Sequence, residues 1–179
     1  MGRSTVAAIE KYNITMDTPE LSHLDESGKA RMVDVSAKDE TERVAIARGR
    51  VYMSDQALDQ VLAGKVEKGN VTAVAELAGV MAAKRTHDLI PLCHPLNLTH
   101  IEVSVDWERG LPGAEIQATC RIRGRTGVEM EALTAVAVAA LTIYDMIKAI
   151  DKSARISDIR LVEKRGGKSG HLVLEEGGE

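Results

Sequence analysis

Phenylalanine is absent from this 179-residue chain, and all aromatic residues together make up only 2% of it. With 44% of residues hydrophobic, the core must be built from Val, Ala, Leu, Ile and Met, whose small side chains demand close packing of helix against sheet or helix. The formal net charge of −4 and the scarcity of aromatics exclude a general nucleic-acid surface, which needs a basic face and stacking rings. A local anion site remains compatible with that charge. No uninterrupted apolar run approaches the roughly 18 residues of a membrane span, and the N-terminus lacks signal-peptide regions, so no membrane partner and a cytoplasmic location are expected. Two cysteines, Cys93 and Cys120, allow at most one disulfide, and a reducing compartment predicts free thiols.

Proline is also scarce, at four residues, yet Pro91 and Pro95 stand together inside Lys84 to Pro95, KRTHDLIPLCHP. Each proline fixes its own φ and pushes the preceding residue toward extended geometry, so Leu92, Cys93 and His94 are expected in a short presented loop. Lys84, Arg85, His87, Asp88, Cys93 and His94 on such stiff backbone suggest a site.

The chain is long enough for one domain with a real core. Residues 1–30 are read as a flexible N-terminal segment, because they show no sustained hydrophobic period, and residues 31–179 as a single catalytic domain. Met32 to Lys38 alternates, and Val44 to Met53 reads as a strand. Ser54 or Asp55 can cap a short helix ending at Gly64. Asn70 opens a second helix, with Val71, Val74, Ala75, Ala78, Met81 and Ala82 at helical spacing. Strands around Ile101 to Val105 and Ile116 to Ile122 form a hairpin across Gly110 to Gly113. Ala132 to Lys152 is the longest helical pattern, followed by strands at Ile156 to Glu163 and His171 to Leu174. The expected fold is an α+β ferredoxin-like sandwich, an antiparallel sheet packed against helices.

Steps of three and four place Thr134, Val138, Leu141, Asp145, Lys148 and Lys152 on one helix face. Asp145 and Lys148 at the end of this stripe suggest a partly desolvated acid/base pair, with an ordinary surface ion pair as the plainer explanation. Thr126-Gly127-Val128-Glu129 matches a capping box, whereas an extended entry strand would point Glu129 and Glu131 the same way, toward a site. His94 has the titration range of a general acid or base, although a lone histidine is more often structural. Zinc around Cys93, His94, Cys120, His87 or His100 lacks CxxC or HExxH spacing. Gly166 to Gly170 imitates the end of a nucleotide-triphosphatase loop, but Val162 stands where that loop needs glycine. Its amides, beside Lys164, Arg165 and Lys168, could still cradle phosphate; a solvated loop is as good a reading.

Together MVDVSAK from Met32, KRTHDLIPLCHP, TGVEMEALTAVAVAALTIYDMIKA from Thr126 to Ala149, and RLVEKRGGKSG ending at Gly170 closely resemble the cyclic pyranopterin monophosphate synthase family of molybdenum-cofactor biosynthesis. The resemblance implies a ferredoxin-like subunit in a homohexamer, a trimer of dimers, with sites at subunit interfaces. It implies a lyase that converts 3',8-cyclo-7,8-dihydroguanosine 5'-triphosphate, the product of a radical GTP cyclase, to cyclic pyranopterin monophosphate with loss of diphosphate. By the same resemblance Asp145, Lys148 and Lys68 are catalytic. Leu92, Cys93, His94, Glu129, Met130, Glu131, Lys164, Lys38 and Arg43 bind substrate, with Lys38 and Arg43 reaching from a neighbouring subunit. No tightly bound cofactor or metal is expected, although magnesium could accompany the triphosphate. Asn70, where relatives are expected to carry Asp, leaves these groups intact.

Overall fold

In the computed structural model residues 32–110, 112–168 and 170–175 are described. The segment expected to be flexible, residues 1–30, lies outside them.

Strand β1 (Thr41–Tyr52) is longer than its apolar marks suggest, because its first residues pair with the far end of β3. Ser54 caps α1 (Asp55–Leu62), its side chain accepting from the Ala57 amide at 3.3 Å, and Gly64 lies beyond the helix end with φ 64°. Asn70 caps α2 (Val71–Ala83) by accepting from the Ala73 amide at 3.0 Å. A single turn, α3 (Thr86–Leu89), follows within the proline-bearing motif, where the buried Thr86 hydroxyl donates to the Ala83 carbonyl. The hairpin joins β2 (His100–Glu108) to β3 (Gly113–Gly124), and α4 (Glu129–Ile147) leads to β4 (Arg155–Arg165) and the short β5 (His171–Val173). Met32 to Lys38 forms no strand.

All strand pairings are antiparallel, in the order β2-β3-β1-β4-β5. The βαββαβ succession with β1 and β3 central is ferredoxin-like, with β5 added at one edge. Register sets one face of the sheet: Ala45, Ala47 and Val51 stand opposite Cys120, Ala118 and Ala114, all buried. Helix α4 lies on β1, β3 and β4, while α2 lies on β2 and against α4. Trp107 Nε1 donates to Thr72 Oγ1 at 2.9 Å and pins α2 to β2.

The scarcity of large rings has its expected consequence. A Cβ on Gly79 would stand 3.0 Å from the Ala135 carbonyl oxygen and 3.1 Å from Val103, so α2 approaches both α4 and β2 at a position lacking a side chain. By length and composition alone α4 could cross a membrane, but ten of its residues are buried, among them Ala135, Val136, Ala139 and Ile143, which makes it a core helix. Part of the apolar pattern faces outward: Val74, Leu77 and Met81 on α2 and Leu141 on α4 are exposed in the single chain.

Candidate active site

The long helix stops earlier than its pattern suggests. Lys148 is the C-cap of α4, and Asp151 and Lys152 lie beyond it, so Lys152 does not share the helical face predicted for it. The break has a local cause. Asp151 accepts from the Ser54 amide at 2.7 Å and from the Ser153 amide and hydroxyl at 2.8 and 2.6 Å, which ties the post-helical turn to the start of α1.

Asp145 and Lys148 form the expected pair, Oδ1 to Nζ at 2.6 Å, but a second lysine completes it. Lys68, just before α2, donates to Asp145 Oδ2 at 2.6 Å and to the Asp145 backbone carbonyl at 2.8 Å. That carbonyl belongs to the last helical turn, where oxygens lack partners within the helix, so Lys68 also places a cation on the negative end of α4. The two ammonium groups, Lys148 first and Lys68 second, hold the Asp145 carboxyl down at about 2, and Asp145 in turn raises the Lys148 pKa. The expected desolvation is not found in the single chain. Side-chain exposures of 54% for Asp145, 52% for Lys148 and 47% for Lys68 leave all three open to solvent, because the helical face already turns outward at Leu141. Beside them a groove of about 440 Å³ runs between α1 and the end of α4, lined by Gln56, Gln60, Lys65, Lys68, Met146 and Ile150.

A second cluster occupies the other end of α4. Val128, not Thr126, is the N-cap, and no side chain caps the helix, so the capping box does not form. The Glu129 carboxylate is instead ion-paired with Lys164 of β4, both side chains about one-quarter exposed. The extended reading of this segment also fails, since Glu129 and Glu131 both lie in the first helical turn, where residues two apart diverge. Glu131 turns inward and is buried. Burial pushes its carboxyl above the usual carboxylate range; its own backbone amide and His87 pull the other way, and the charge of Glu129 adds to the rise. Cys93 and Cys120 are free. Burial and then the nearby Glu131 raise both thiols, Cys120 to about 12, so neither is an activated nucleophile.

Arg43 crosses the end of β3, its Nε 3.4 Å from the Gly124 carbonyl oxygen and its Nη2 3.5 Å from that of Arg125. Register places Lys164 beside Ala45, two residues along β1 on the same face as Arg43. Met130 is partly exposed in the first turn of α4. Leu92, Cys93 and His94 lie in the irregular segment after α3, Leu92 exposed and the other two half-buried, in the presented loop the prolines predicted. Lys38 is exposed in a turn before β1. In the glycine-rich loop the Gly166 amide donates to the Gly170 carbonyl and the Gly170 amide to that of Gly167, which removes two of the donors expected to cradle phosphate.

The predicted residues therefore divide. Arg43, Glu129, Glu131, Lys164 and Cys93 gather at the N-terminal end of α4, and Lys68, Asp145 and Lys148 at its C-terminal end. Glu129 and Asp145 are 16 positions apart on one helix, about 24 Å at the usual rise per residue. Sequence reasoning missed the two contacts of Lys68 with Asp145, which join residues distant in the chain, and the proximity of His87 to Glu131. Among the described residues no three His, Cys, Asp or Glu side chains converge as a metal site, including the zinc candidates.

Known proteins carry the same arrangement of sequence. The chain is 59% identical over 156 residues to the cyclic pyranopterin monophosphate synthase of Roseiflexus castenholzii, covering 87% of this chain and 99% of that protein. Against the proteins of the same name from Heliobacterium modesticaldum and Brucella ovis the identity is 60% and 56% over 156 residues, 87% of this chain and 98% and 94% of theirs. The MoaC family model matches residues 32–167, which include both ends of α4 and every residue of the two clusters, and the chain belongs to the MoaC family.

Proposed function

We propose that this chain is a cyclic pyranopterin monophosphate synthase, a lyase of molybdenum-cofactor biosynthesis acting on 3',8-cyclo-7,8-dihydroguanosine 5'-triphosphate, the product of a radical GTP cyclase. The observation that carries the mechanism is the Lys68–Asp145–Lys148 constellation. A ribose hydroxyl attacks the α-phosphorus, a new P–O bond forms, the bond to the β-phosphate breaks, and diphosphate departs. The hydroxyl proton needs a base and the leaving diphosphate needs cations.

A carboxyl held at about 2 is a weak base while both ammonium groups contact it. Triphosphate oxygens compete for Lys68 and Lys148, so substrate binding relaxes that hold and raises the proton affinity of Asp145 where protons must move. Catalysis is thereby coupled to occupancy. Arg43, Lys38 and Lys164 supply further positive charge. Glu129, Met130 and Glu131, with Leu92, Cys93 and His94, contact the nucleotide-derived ring. Magnesium carried by the triphosphate would belong to the substrate.

The distance along α4 favours a site assembled from two chains, the N-terminal cluster of one facing the C-terminal cluster of another. A homohexamer, a trimer of dimers in the cytoplasm, meets this need, and the exposed Leu77, Met81 and Leu141 are apolar surface suited to contact between copies. The test is turnover of the cyclic triphosphate with equimolar release of diphosphate. Asp145→Asn or Lys148→Ala should abolish it while the assembly persists in size-exclusion chromatography, and unchanged turnover in both variants would refute the assigned roles.

A further inference from the structure

Arg43 makes two long hydrogen bonds and lies against the turn after β4. Its two contacts, to the Gly124 and Arg125 carbonyls, are long, and among the described residues no carboxylate pairs with it. The remaining wall of its slot is the turn after β4. A Cβ placed on Gly167 would fall on Arg43 Nη1 and lie only 2.6 Å from Cζ and 3.2 Å from Nη2. The turn cannot step aside easily. Gly166 has φ 93°, and a Cβ there would fall on the Glu42 carbonyl oxygen, so this backbone sits directly on β1. Hydrogen bonds from the Gly166 amide to the Gly170 carbonyl at 2.8 Å and from the Gly170 amide to the Gly167 carbonyl at 3.1 Å close the loop on itself.

We infer that Gly167 is a positioning residue for Arg43: the volume left by its missing side chain is the slot that holds the guanidinium at the rim of the N-terminal cluster. This rests on the reading above that Arg43 offers charge to the substrate's phosphates. A planar donor fork held in place before the anion arrives loses less freedom on binding than a free arginine. The sequence motif Gly-Gly-Lys-Ser-Gly thus serves the anion site through what its glycine omits.

The experiment compares Gly167→Ala, Arg43→Ala and the double variant, with Gly64→Ala as the control for backbone strain. Gly167 has φ 74° and Gly64 φ 64°, and a methyl group added at Gly64 would meet no atom within 4 Å. Diphosphate release gives KM and kcat, and urea unfolding gives the midpoint. Gly167→Ala and Arg43→Ala should each raise KM about tenfold, the loss of one charge-assisted contact, with kcat changed far less. The double variant should be no worse than Arg43→Ala, and Gly64→Ala should keep the wild-type KM. Trimming Arg43 should also recover part of the urea midpoint lost in Gly167→Ala, a readout that needs no turnover. An unchanged KM in Gly167→Ala, multiplying effects in the double variant, or no recovery of the midpoint would overturn the inference. Absence of diphosphate release from the wild-type protein would instead overturn the functional reading, leaving the midpoint to decide the slot.

Discussion

Asp145→Asn and Lys164→Ala should each abolish turnover, yet an equal mixture unfolded and refolded together should regain about a quarter of wild-type activity, as expected for a site shared between symmetric copies. The two ends of α4 carry the two clusters about 24 Å apart. A round small-molecule pocket of about 1,000 Å³ is only about 12 Å across, shorter than the helix, which favours a ligand held between the ends of two chains. In the proposed composite site the Lys164 end comes from one chain and the Asp145 end from another. In a random mixture each end is intact with a chance of one half, and the joint chance is about one quarter. Lys164→Ala leaves Glu129 partly buried without its partner, a loss of about 1–3 kcal/mol, which a domain of ordinary stability survives. Mixed oligomers are verified by a mass tag on one variant and activity by diphosphate release. Mixed oligomers that form without any gain over the separate variants would refute the two-chain site.

Asp151→Asn should cost about 2–3 kcal/mol at pH 7, since a buried carboxylate with three charge-assisted contacts becomes a neutral amide. The hydrogen bonds from Ser153 and Ser54 lower the Asp151 pKa in the folded state. The wild-type advantage is therefore fully present above the unfolded value of about 3.9 and fades as pH falls through the folded one; a urea-midpoint difference independent of pH would contradict this. Lys148→Ala removes the first cause of the low Asp145 pKa and should move that carboxyl upward in a ¹³C NMR titration; no movement would exclude the pairing. Alkylation at pH 8 should label Cys93 slowly and Cys120 only on unfolding, because Cys120 is fully buried with its pKa pushed up to about 12; native labelling of Cys120 would be inconsistent with that burial.

Much of the fold was legible because local chemistry and tertiary packing agree. Ser54 and Asn70 cap the helices they were expected to open, and the alternation of β1, β2 and β3 follows the buried face. Errors fell where the two compete. Thr126 and Glu129 have the spacing of a capping box, but the stronger partner of Glu129 is the ammonium of Lys164, brought near by β-sheet register. Lys152 fits the helical period, but the hydrogen bonds of Asp151 hold the chain in a turn beyond Lys148.

By itself the sequence determined the starts of α1 and α2 and the small-residue core, because capping and hydrophobic period are written in neighbouring residues. Only tertiary structure decided which of the candidate site residues meet. Lys68 reaches Asp145 because α2 packs against α4, and Arg43 lies against Gly167 because the turn after β4 folds onto β1. The rigid length of α4 then keeps the two clusters apart, since an α-helix fixes the distance between its ends while sequence spacing alone does not.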